Sequence, residues 1–346
     1  MRENPAEGRR PAPIPVTVVS GFLGAGKTTL LNHVLTAEHG RRIGVLVNDF
    51  GSINVDAELI ADVQDDMISL ANGCICCSIR MDLIQAVLKM ADLTEPPEHI
   101  VIESSGVANP AGIVKSFLEP EIWGTVQLDG VITVVDAEQT LDLPAKEARL
   151  ARTQVAGGDL ILLNKVDLVD TATLAGVRDW IDGVRPGIQV FETSRCRLSM
   201  EILLGAGTTT AGYAGVTAGP EVHVHDLGTS SQAPDHDLGH DHGDDHDIGF
   251  DTWTYTADAP LSMVWLQEII THLPSTVFRM KGFVHSADEP ERRTVVQLVG
   301  RRATLTPSRP WGTEEPRTRL VFISRSDTVN YPAIEQALDR SQVRSC

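Results

Sequence analysis

The strongest chemical signal in the sequence is a glycine-rich segment near the amino terminus. Residues 21–28 read G-F-L-G-A-G-K-T and match the pattern G-x-x-x-x-G-K-[ST] in full, between a β-branched run and a stretch with helical spacing. In that context backbone N–H groups and the helix start bind phosphate oxygens. The Lys27 amine is expected to reach the β- and γ-phosphates, and the Thr28 hydroxyl to ligate Mg²⁺. The other nucleotide contacts predicted in this segment are Gly21, Gly24, Ala25, Gly26 and Thr29.

A second motif indicates which base the nucleotide carries. Residues 164–167 read N-K-V-D and follow an apolar run. The Asp167 carboxylate can accept hydrogen bonds from guanine N1–H and N2–H, an edge that adenine lacks. Asn164 would brace the loop, and the Lys165 stem would lie along the ring. Residues 193–194, Thr-Ser, are expected to complete the base site. A P-loop kinase is an alternative, but it would prefer ATP, and Asn164 and Asp167 argue against it.

Two further segments are expected at the same edge of the predicted sheet. Residues 103–106 read E-S-S-G, a D-x-x-G pattern with Glu in place of Asp. Glu103 would hold Mg²⁺ through water, and the Gly106 N–H would contact the γ-phosphate. Residues 48–51 read N-D-F-G, and Asp49 is a candidate to sense or coordinate the metal beside the γ-phosphate. The predicted catalytic groups are therefore Lys27, Thr28, Asp49 and Glu103. No arginine finger or catalytic glutamine is recognisable in the sequence, which predicts slow turnover.

Three of the five cysteines lie within four residues, at Cys74, Cys76 and Cys77. A regular strand would point Cys76 and Cys77 in opposite directions, but a loop or a helix start lets the thiols converge on one ion. Three thiolates suit Zn²⁺ or Cu(I), with a fourth ligand from elsewhere or an open position. A redox pair and buried packing are the alternatives. Cys196 and Cys346 stand alone and are expected to be structural.

A tract of biased composition lies further along the chain. Residues 198–278 contain no Lys or Arg and 12 acidic residues. Within them, residues 206–234 are rich in Gly, Ala, Thr and Ser, a composition that cannot build a core. Residues 236–247 are rich in His and Asp, which offer weak ligands to Zn, Ni or Co, and a solvated acidic linker is the alternative. The candidate accessory ligands are His236, His240, His242 and His246.

Alternating strands and helices must position these motifs. Short apolar runs, typical of strands covered on both faces, occur at residues 14–19, 43–47, 100–102, 131–135, 160–163 and 188–191. Helix-patterned stretches separate them, which predicts an α/β domain with a mainly parallel sheet. The segment after residue 250 reads β-α-β-β-β-α and predicts a smaller α+β, ferredoxin-like domain. The expected organisation is a disordered N-terminus (1–13), a P-loop GTPase domain (14–200), a flexible acidic His-rich linker (201–248) and a C-terminal domain (249–346).

Composition limits the classes of function. The chain has 346 residues, 42% of them apolar and 22% charged, so it can bury a core and is long enough for about two domains. Its net charge of −18 opposes binding to nucleic acid or to anionic membranes. No run of 18 apolar residues occurs, and residues 1–15 lack the apolar region of a secretory signal. We therefore expect a cytoplasmic protein without nucleic-acid or membrane partners.

Taken together, these motifs resemble those of the CobW-like GTPases. They lie at residues 21–29, 48–51, 72–77, 103–106 and 164–167, and the N-G-C-I-C-C segment at 72–77 is highly specific. The segment R-M-K-G-F at residues 279–283 looks like part of that family's C-terminal domain. The resemblance implies a GTP-hydrolysing metallochaperone with GTP and Mg²⁺ as cofactors. It further implies that Cys74, Cys76 and Cys77 bind a transition metal, usually zinc, which is handed to client metalloproteins. It also suggests self-association as a homo-oligomer.

Two alternatives to zinc delivery stay open at this point. One is a cobalt- or nickel-specific maturation factor for a single enzyme, since thiolate and imidazole ligands do not select one metal. The other is a metal buffer that stores metal in the His/Asp tract. Ser52 stands where the family often has an acidic residue, which removes one expected ligand from an accessory metal site beside the 48–51 segment.

Overall fold

The computed structural model describes residues 13–47 except 38, 67–69, 78–205 except 118 and 123, and 250–343. Strands of its amino-terminal part are β1 (Ile14–Gly21), β2 (Ile43–Val47), β3 (Met67–Ser69), β4 (His99–Glu103), β5 (Val126–Asp136), β6 (Leu160–Asn164) and β7 (Gln189–Thr193). Within the described residues they form one sheet in the order β3-β2-β4-β1-β5-β6-β7, and every pairing is parallel. The predicted α/β domain with a parallel sheet is confirmed.

Helices cover both faces of this sheet. They are α1 (Lys27–Thr36), α2 (Ser78–Ala91), α3 (Pro110–Ser116), α4 (Ala145–Gly157), α5 (Thr171–Val184) and α6 (Met200–Leu204). Successive side chains of β1 pack on opposite faces of the sheet. Val19 lies in the same buried cluster as Leu30 of α1, and Val18 lies in another cluster with Val87 of α2. All residues of β2, β4 and β6 are buried, as expected for strands covered on both sides. No helix among the described residues is long and apolar enough to cross a membrane.

The carboxy-terminal part forms a second sheet. Its elements are β8 (Phe250–Ala257), α7 (Met263–Thr271), β9 (Val277–His285), β10 (Arg292–Val299), β11 (Arg302–Pro310), β12 (Thr318–Arg325) and α8 (Tyr331–Arg340). The strand order is β11-β10-β9-β12-β8, and all pairings are antiparallel. Since β8 and β9 both run antiparallel to β12, the β8-α7-β9 unit is a split βαβ with β12 between its strands. The predicted α+β domain is confirmed.

The predicted order of elements in this domain was incomplete, because it lacked β11. This strand is rich in polar residues and contains Pro307 and Pro310, both of which weaken a strand pattern in the sequence. Among the described strands it pairs only with β10 and lies at the edge of the sheet, where proline is tolerated.

The two sheets share an apolar core. Phe278 of β9 and Ile323 of β12 are buried in the same cluster as residues of the parallel sheet. The Phe278 ring lies 4.7 Å from the ring of Phe191 in β7, in an edge-to-face arrangement. Other residues of the same strands, Met280 and Phe322, pack instead with α7 and α8. One face of the second sheet is thus covered by its own helices and the other by the P-loop domain.

The elements described before the second sheet end with α6, and β8 begins at Phe250. Most of the predicted linker (201–248) and the predicted disordered N-terminus (1–13) therefore lie outside the described residues. The proposed limits of the domains stay predictions.

Candidate nucleotide site

The carboxyl ends of the parallel strands meet at one edge of the sheet. There β1 leads into residues 21–28, β4 into residues 103–106, β6 into residues 164–167 and β7 into residues 193–197. The carboxyl edge is the usual position of ligands in open α/β sheets. The fold therefore brings the predicted phosphate and base segments together.

The phosphate loop at residues 21–28 depends on its glycines. Gly24 and Gly26 have φ values of 74° and 112°, in the left-handed region that favours glycine. Gly26 directly precedes α1 as its N-cap, and the Lys27 amine reaches back to donate to the Phe22 carbonyl at 3.1 Å. A glycine loop that ends in a helix start, with an amine lying across it, suits the binding of phosphate.

Thr28 and Glu103 join the phosphate loop to the end of β4. The Thr28 hydroxyl donates to Glu103 Oε1 at 3.4 Å, and the Glu103 residue is buried, with 4% of its surface exposed. A hydroxyl and a carboxylate beside a phosphate loop are the hard oxygen donors that Mg²⁺ prefers. This donor set fits the predicted ion, although direct ligation by Thr28 and water-mediated binding by Glu103 stay predictions.

The loop after β4 contacts the phosphate loop and is held from behind by a helix. A Cβ at Gly106 would lie 2.9 Å from the Leu23 backbone nitrogen, so the close approach requires glycine. On its other side, Nε2 of Gln154 in α4 donates to the carbonyls of Gly106 and Ala108, at 3.0 and 3.1 Å. Gln154 is buried, with 1% of its surface exposed. Helix α4 therefore fixes the loop that is predicted to face the γ-phosphate.

Asn164 connects three segments of the site. Its Nδ2 donates to the Ala25 carbonyl at 2.9 Å, and its Oδ1 accepts the Cys196 N–H at 2.9 Å. The Cys196 thiol donates to the Gly26 carbonyl at 3.2 Å. Burial raises the pKa of this thiol to about 12, so it stays protonated and able to donate. The base segment is thereby bonded to the phosphate loop.

The other residues predicted to contact the guanine base lie around the end of β6. Lys165 has a φ of 63°, and its amine pairs with Asp136 Oδ2 at 2.7 Å, where β5 ends. Asp167 is exposed in the turn that follows. The Thr193 hydroxyl donates to the Arg197 carbonyl at 2.7 Å and closes the loop after β7. The predicted contacts of Asp167, Lys165 and residues 193–194 with guanine stay predictions.

Several predicted site residues lie outside the described residues. They are Asp49, the cysteines Cys74, Cys76 and Cys77, and the tract histidines His236, His240, His242 and His246. Helix α2 begins at Ser78, directly after the cysteine motif. In the part of the chain that the structure describes, no group of three or more His, Cys, Asp and Glu side chains could hold a metal ion.

Comparison with known proteins gives the family. Residues 15–192 match the model of the CobW/HypB/UreG nucleotide-binding domain. The chain belongs to the CobW/HypB/UreG family. Residues 250–342 match the cobalamin synthesis protein CobW C-terminal domain, so the predicted resemblance to CobW-like proteins is confirmed for both parts of the chain.

Three relatives show how far this CobW similarity extends. A Sinorhizobium protein named zinc chaperone CobW is 33% identical, and the match covers 91% of this chain and 93% of the relative. A Pseudomonas aeruginosa protein of the same name is 34% identical, with coverage of 96% and 92%. The Escherichia coli K12 protein named zinc chaperone YjiA is 31% identical, with coverage of 90% and 94%.

As a CobW/HypB/UreG protein, the chain is a P-loop GTPase, which confirms the predicted activity. Two residues of the site, Asp136 and Gln154, were missed by sequence reasoning. Gln154 lies on the buried face of α4 with Ala151 and Val155. The available signal in the sequence was a polar residue at a helix position where the pattern predicts an apolar one. Asp136 ends a buried strand, as Glu103 and Asn164 do, and could have been found by the same rule.

Proposed function

We propose that this protein is a GTP-dependent metallochaperone that carries zinc as its cargo and delivers it to client metalloproteins. The observation that carries the proposal is the C-I-C-C segment at residues 74–77, between the phosphate loop and Glu103 in a chain of the CobW/HypB/UreG family. Three thiolates suit Zn²⁺. The relatives named zinc chaperones support zinc as the metal.

In this proposal GTP binds at the carboxyl edge of the parallel sheet. Backbone N–H groups of residues 21–29 and the Lys27 amine would hold the phosphates, and Asp167 would read guanine. The bonds from Asn164 to Ala25 and Cys196 support this arrangement, because they fix the base loop against the phosphate loop. Thr28 and Glu103 would hold Mg²⁺, which supplies charge neutralisation at the phosphate oxygens when bound.

The cysteines are proposed to respond to the nucleotide through α2. Cys77 directly precedes this helix, and Val87 of α2 lies in the same buried cluster as Ile102 of β4. Strand β4 ends at Glu103, which accepts the hydrogen bond from Thr28. A change in the 103–106 loop when the γ-phosphate binds would therefore reach the helix that follows the thiols. A helix start also favours thiolate over thiol, as zinc binding requires.

Zinc affinity in two nucleotide states tests the proposal. Chelator competition would be run with Mg²⁺ and a non-hydrolysable GTP analogue, and again with Mg–GDP. We expect the two zinc affinities to differ by about fivefold or more, the lower end of typical coupling between sites. The double variant Cys76→Ala with Cys77→Ala should lose tight zinc binding. The control Cys346→Ala changes a cysteine outside the motif and should keep it.

Each part of the proposal can fail separately. Unchanged zinc affinity in the double cysteine variant would contradict the metal site, and equal affinities in the two nucleotide states would contradict gating of the metal by GTP. Deleting residues 223–247 tests the buffer alternative, because a metal buffer would lose most of its capacity. The metal content of protein from metal-replete cells distinguishes zinc from cobalt or nickel. Self-association and a cytoplasmic location stay predictions.

A further inference from the structure

A second polar cluster lies away from the nucleotide site, where the two sheets meet. Strand β5 passes β1 with one extra residue, Asp129, because its neighbours Leu128 and Gly130 pair with consecutive residues of β1. A bulge of this kind redirects a side chain. Arg279 of β9, in the second sheet, donates from Nη2 to Asp129 Oδ2 at 2.9 Å. Both side chains are buried, with 3% of Arg279 and 2% of Asp129 exposed.

The charges around Asp129 do not balance. Burial alone would raise the pKa of Asp129, but the positive charges of Arg279 and Lys281 outweigh it and lower the pKa to about 2. His99, at the start of β4, is buried, and its Nε2 lies 2.8 Å from the Thr17 hydroxyl oxygen. Burial lowers the pKa of His99 to about 3, so its ring is neutral. One carboxylate therefore faces the charges of both Arg279 and Lys281.

Arg41 is a further cation nearby, and its donors are already bonded to main-chain carbonyls. Its guanidinium donates to the carbonyls of Leu204 and Gly205, at 3.3 and 2.8 Å. Burial lowers the pKa of Arg41, and the carboxylates of Glu201 and Glu98 act in the opposite direction. Burial also lowers the pKa of Lys281, and the Asp129 carboxylate acts in the opposite direction.

Lys281 and Arg279 have N–H groups for which no described residue supplies a hydrogen-bond acceptor. Lys281 makes no hydrogen bond or ion pair within the described part of the chain, and Arg279 Nε is buried without an acceptor there. Both line a small recess between the sheets, part of which is open to solvent. A Cβ at Gly205 would lie 2.7 Å from Arg279 Nη1, so glycine keeps this wall of the recess open.

We propose that this recess binds a small oxyanion, with Lys281 and Arg279 Nε as its donors. A ligand that only accepts hydrogen bonds matches a lining whose unmatched groups are donors. Its charge would offset the cation that Asp129 leaves uncompensated. Because the whole chain carries a charge of −18, local donors rather than general attraction must hold the anion. The bound anion would lie beside the Arg279–Asp129 pair, which joins the second sheet to the first.

Inorganic phosphate is the probe for this site. The full chain is kept saturated with Mg–GDP, so that phosphate does not compete for the nucleotide site, and phosphate is titrated at constant ionic strength by calorimetry and by thermal unfolding. The parent should show saturable binding and a rise in Tm that follows it. Lys281→Met keeps most of the side-chain length but loses the donors and should bind at least about tenfold more weakly. Lys281→Arg should retain binding, and Lys115→Met, at an exposed lysine of α3, should match the parent.

Failure of this proposal is separate from failure of the metallochaperone proposal, because the readout involves neither zinc nor GTP turnover. The anion-site proposal is overturned if the parent shows no saturable phosphate binding. It is also overturned if Lys281→Met binds phosphate as tightly as the parent, which is the result expected if phosphate binds beside GDP instead. If Lys281→Met does not fold, the parent and Lys281→Arg decide, and loss of binding in Lys281→Arg overturns the donor role. Saturable acetate binding that Lys281→Met loses supports the same site with a carboxylate as its source.

Discussion

The side-chain amide of Gln154 donates to the main-chain carbonyl of Gly106 across 3.0 Å, which connects a buried helix to the loop beside the phosphate site. The same amide donates to the Ala108 carbonyl, and the Thr133 hydroxyl donates to the Gln154 carbonyl at 3.1 Å. The loop after β4 is therefore held on one side by α4, while its other side lies against the phosphate loop. A group that positions this loop should affect the γ-phosphate more than the rest of the nucleotide.

Gln154→Glu should lower GTP turnover with little effect on GDP binding. The carboxylate cannot donate and would face two carbonyl oxygens, so both loop contacts are lost at nearly constant side-chain size. Since each such bond contributes about 0.5–1.5 kcal/mol, we expect kcat to fall roughly tenfold and GDP affinity to stay within about twofold. Steady-state turnover and GDP titration measure the two effects. The control is Gln267→Glu on the exposed side of α7. A loss of GDP affinity as large as the loss of turnover would indicate a general structural defect instead.

Gly26→Ala should abolish tight nucleotide binding. At this position a Cβ would lie 2.5 Å from Asn164 Nδ2 and 2.8 Å from Cys196 Sγ, so the added methyl group would displace the contacts that join the base and phosphate loops. Gly40→Ala is a matched control, because Gly40 also has a positive φ, 63°, but nothing lies within 4 Å of its Cβ position. Binding of a fluorescent GDP analogue to both variants measures the difference. Near-parental affinity in Gly26→Ala would contradict the importance of this junction.

Asp167→Asn should reduce the preference for GTP over ATP. The substitution replaces a charged acceptor by an amide of similar size at an exposed position of the base segment, so the backbone should be unaffected. Loss of hydrogen bonds to a charged group predicts a decrease of about 10–100-fold in the ratio of GTP to ATP affinity. Competition titrations give this ratio directly. Asp179→Asn, at an exposed residue of α5, is the control, and an unchanged ratio in Asp167→Asn would mean that guanine is read by other groups.

His99 should make the protein less stable in mild acid. Burial lowers its pKa to about 3 in the folded protein, below the ordinary value of 6.5, so the unfolded chain binds the proton first. The stability is present above pH 6.5 and is lost progressively as the pH falls toward 3. Between pH 7 and pH 5.5 we expect the unfolding free energy of the parent to fall by about 1 kcal/mol more than that of His99→Gln. Urea unfolding at the two pH values measures this difference.

His272→Gln provides the matched comparison for that experiment. The His272 side chain is 71% exposed at the end of α7, so its replacement should leave the acid dependence of the parent intact. An identical pH dependence in His99→Gln and the parent would show that the buried ring does not titrate on unfolding as expected.

The parallel sheet was predictable because its strands are covered on both faces. Such strands need uninterrupted apolar residues, and the runs at residues 43–47 and 160–163 correspond closely to β2 and β6. The edge strand β11 has one neighbour among the described strands and tolerates polar residues and proline, so its sequence carries little strand signal.

The position of a motif in the fold was predictable where the motif is one local segment at the end of a strand, as in the phosphate loop. Contacts between distant segments were not, because nothing in the sequence around residue 154 indicates that its amide meets the carbonyl of Gly106, 48 positions earlier. The pairing of Lys165 with Asp136 likewise depends on β5 and β6 lying side by side. Such partners follow from the order of strands in the sheet, which the local pattern does not specify.

The burial of Phe278 and Ile323 in the core of the parallel sheet has a consequence for how the chain unfolds. Two segments that match separate family models contribute to a single apolar interior, so they are expected to melt in one cooperative transition rather than in two. A single proteolytic cut between residues 206 and 249 would leave two fragments that remain associated. A protein truncated near residue 249 would expose the apolar surface that the second sheet otherwise covers, and it would tend to aggregate.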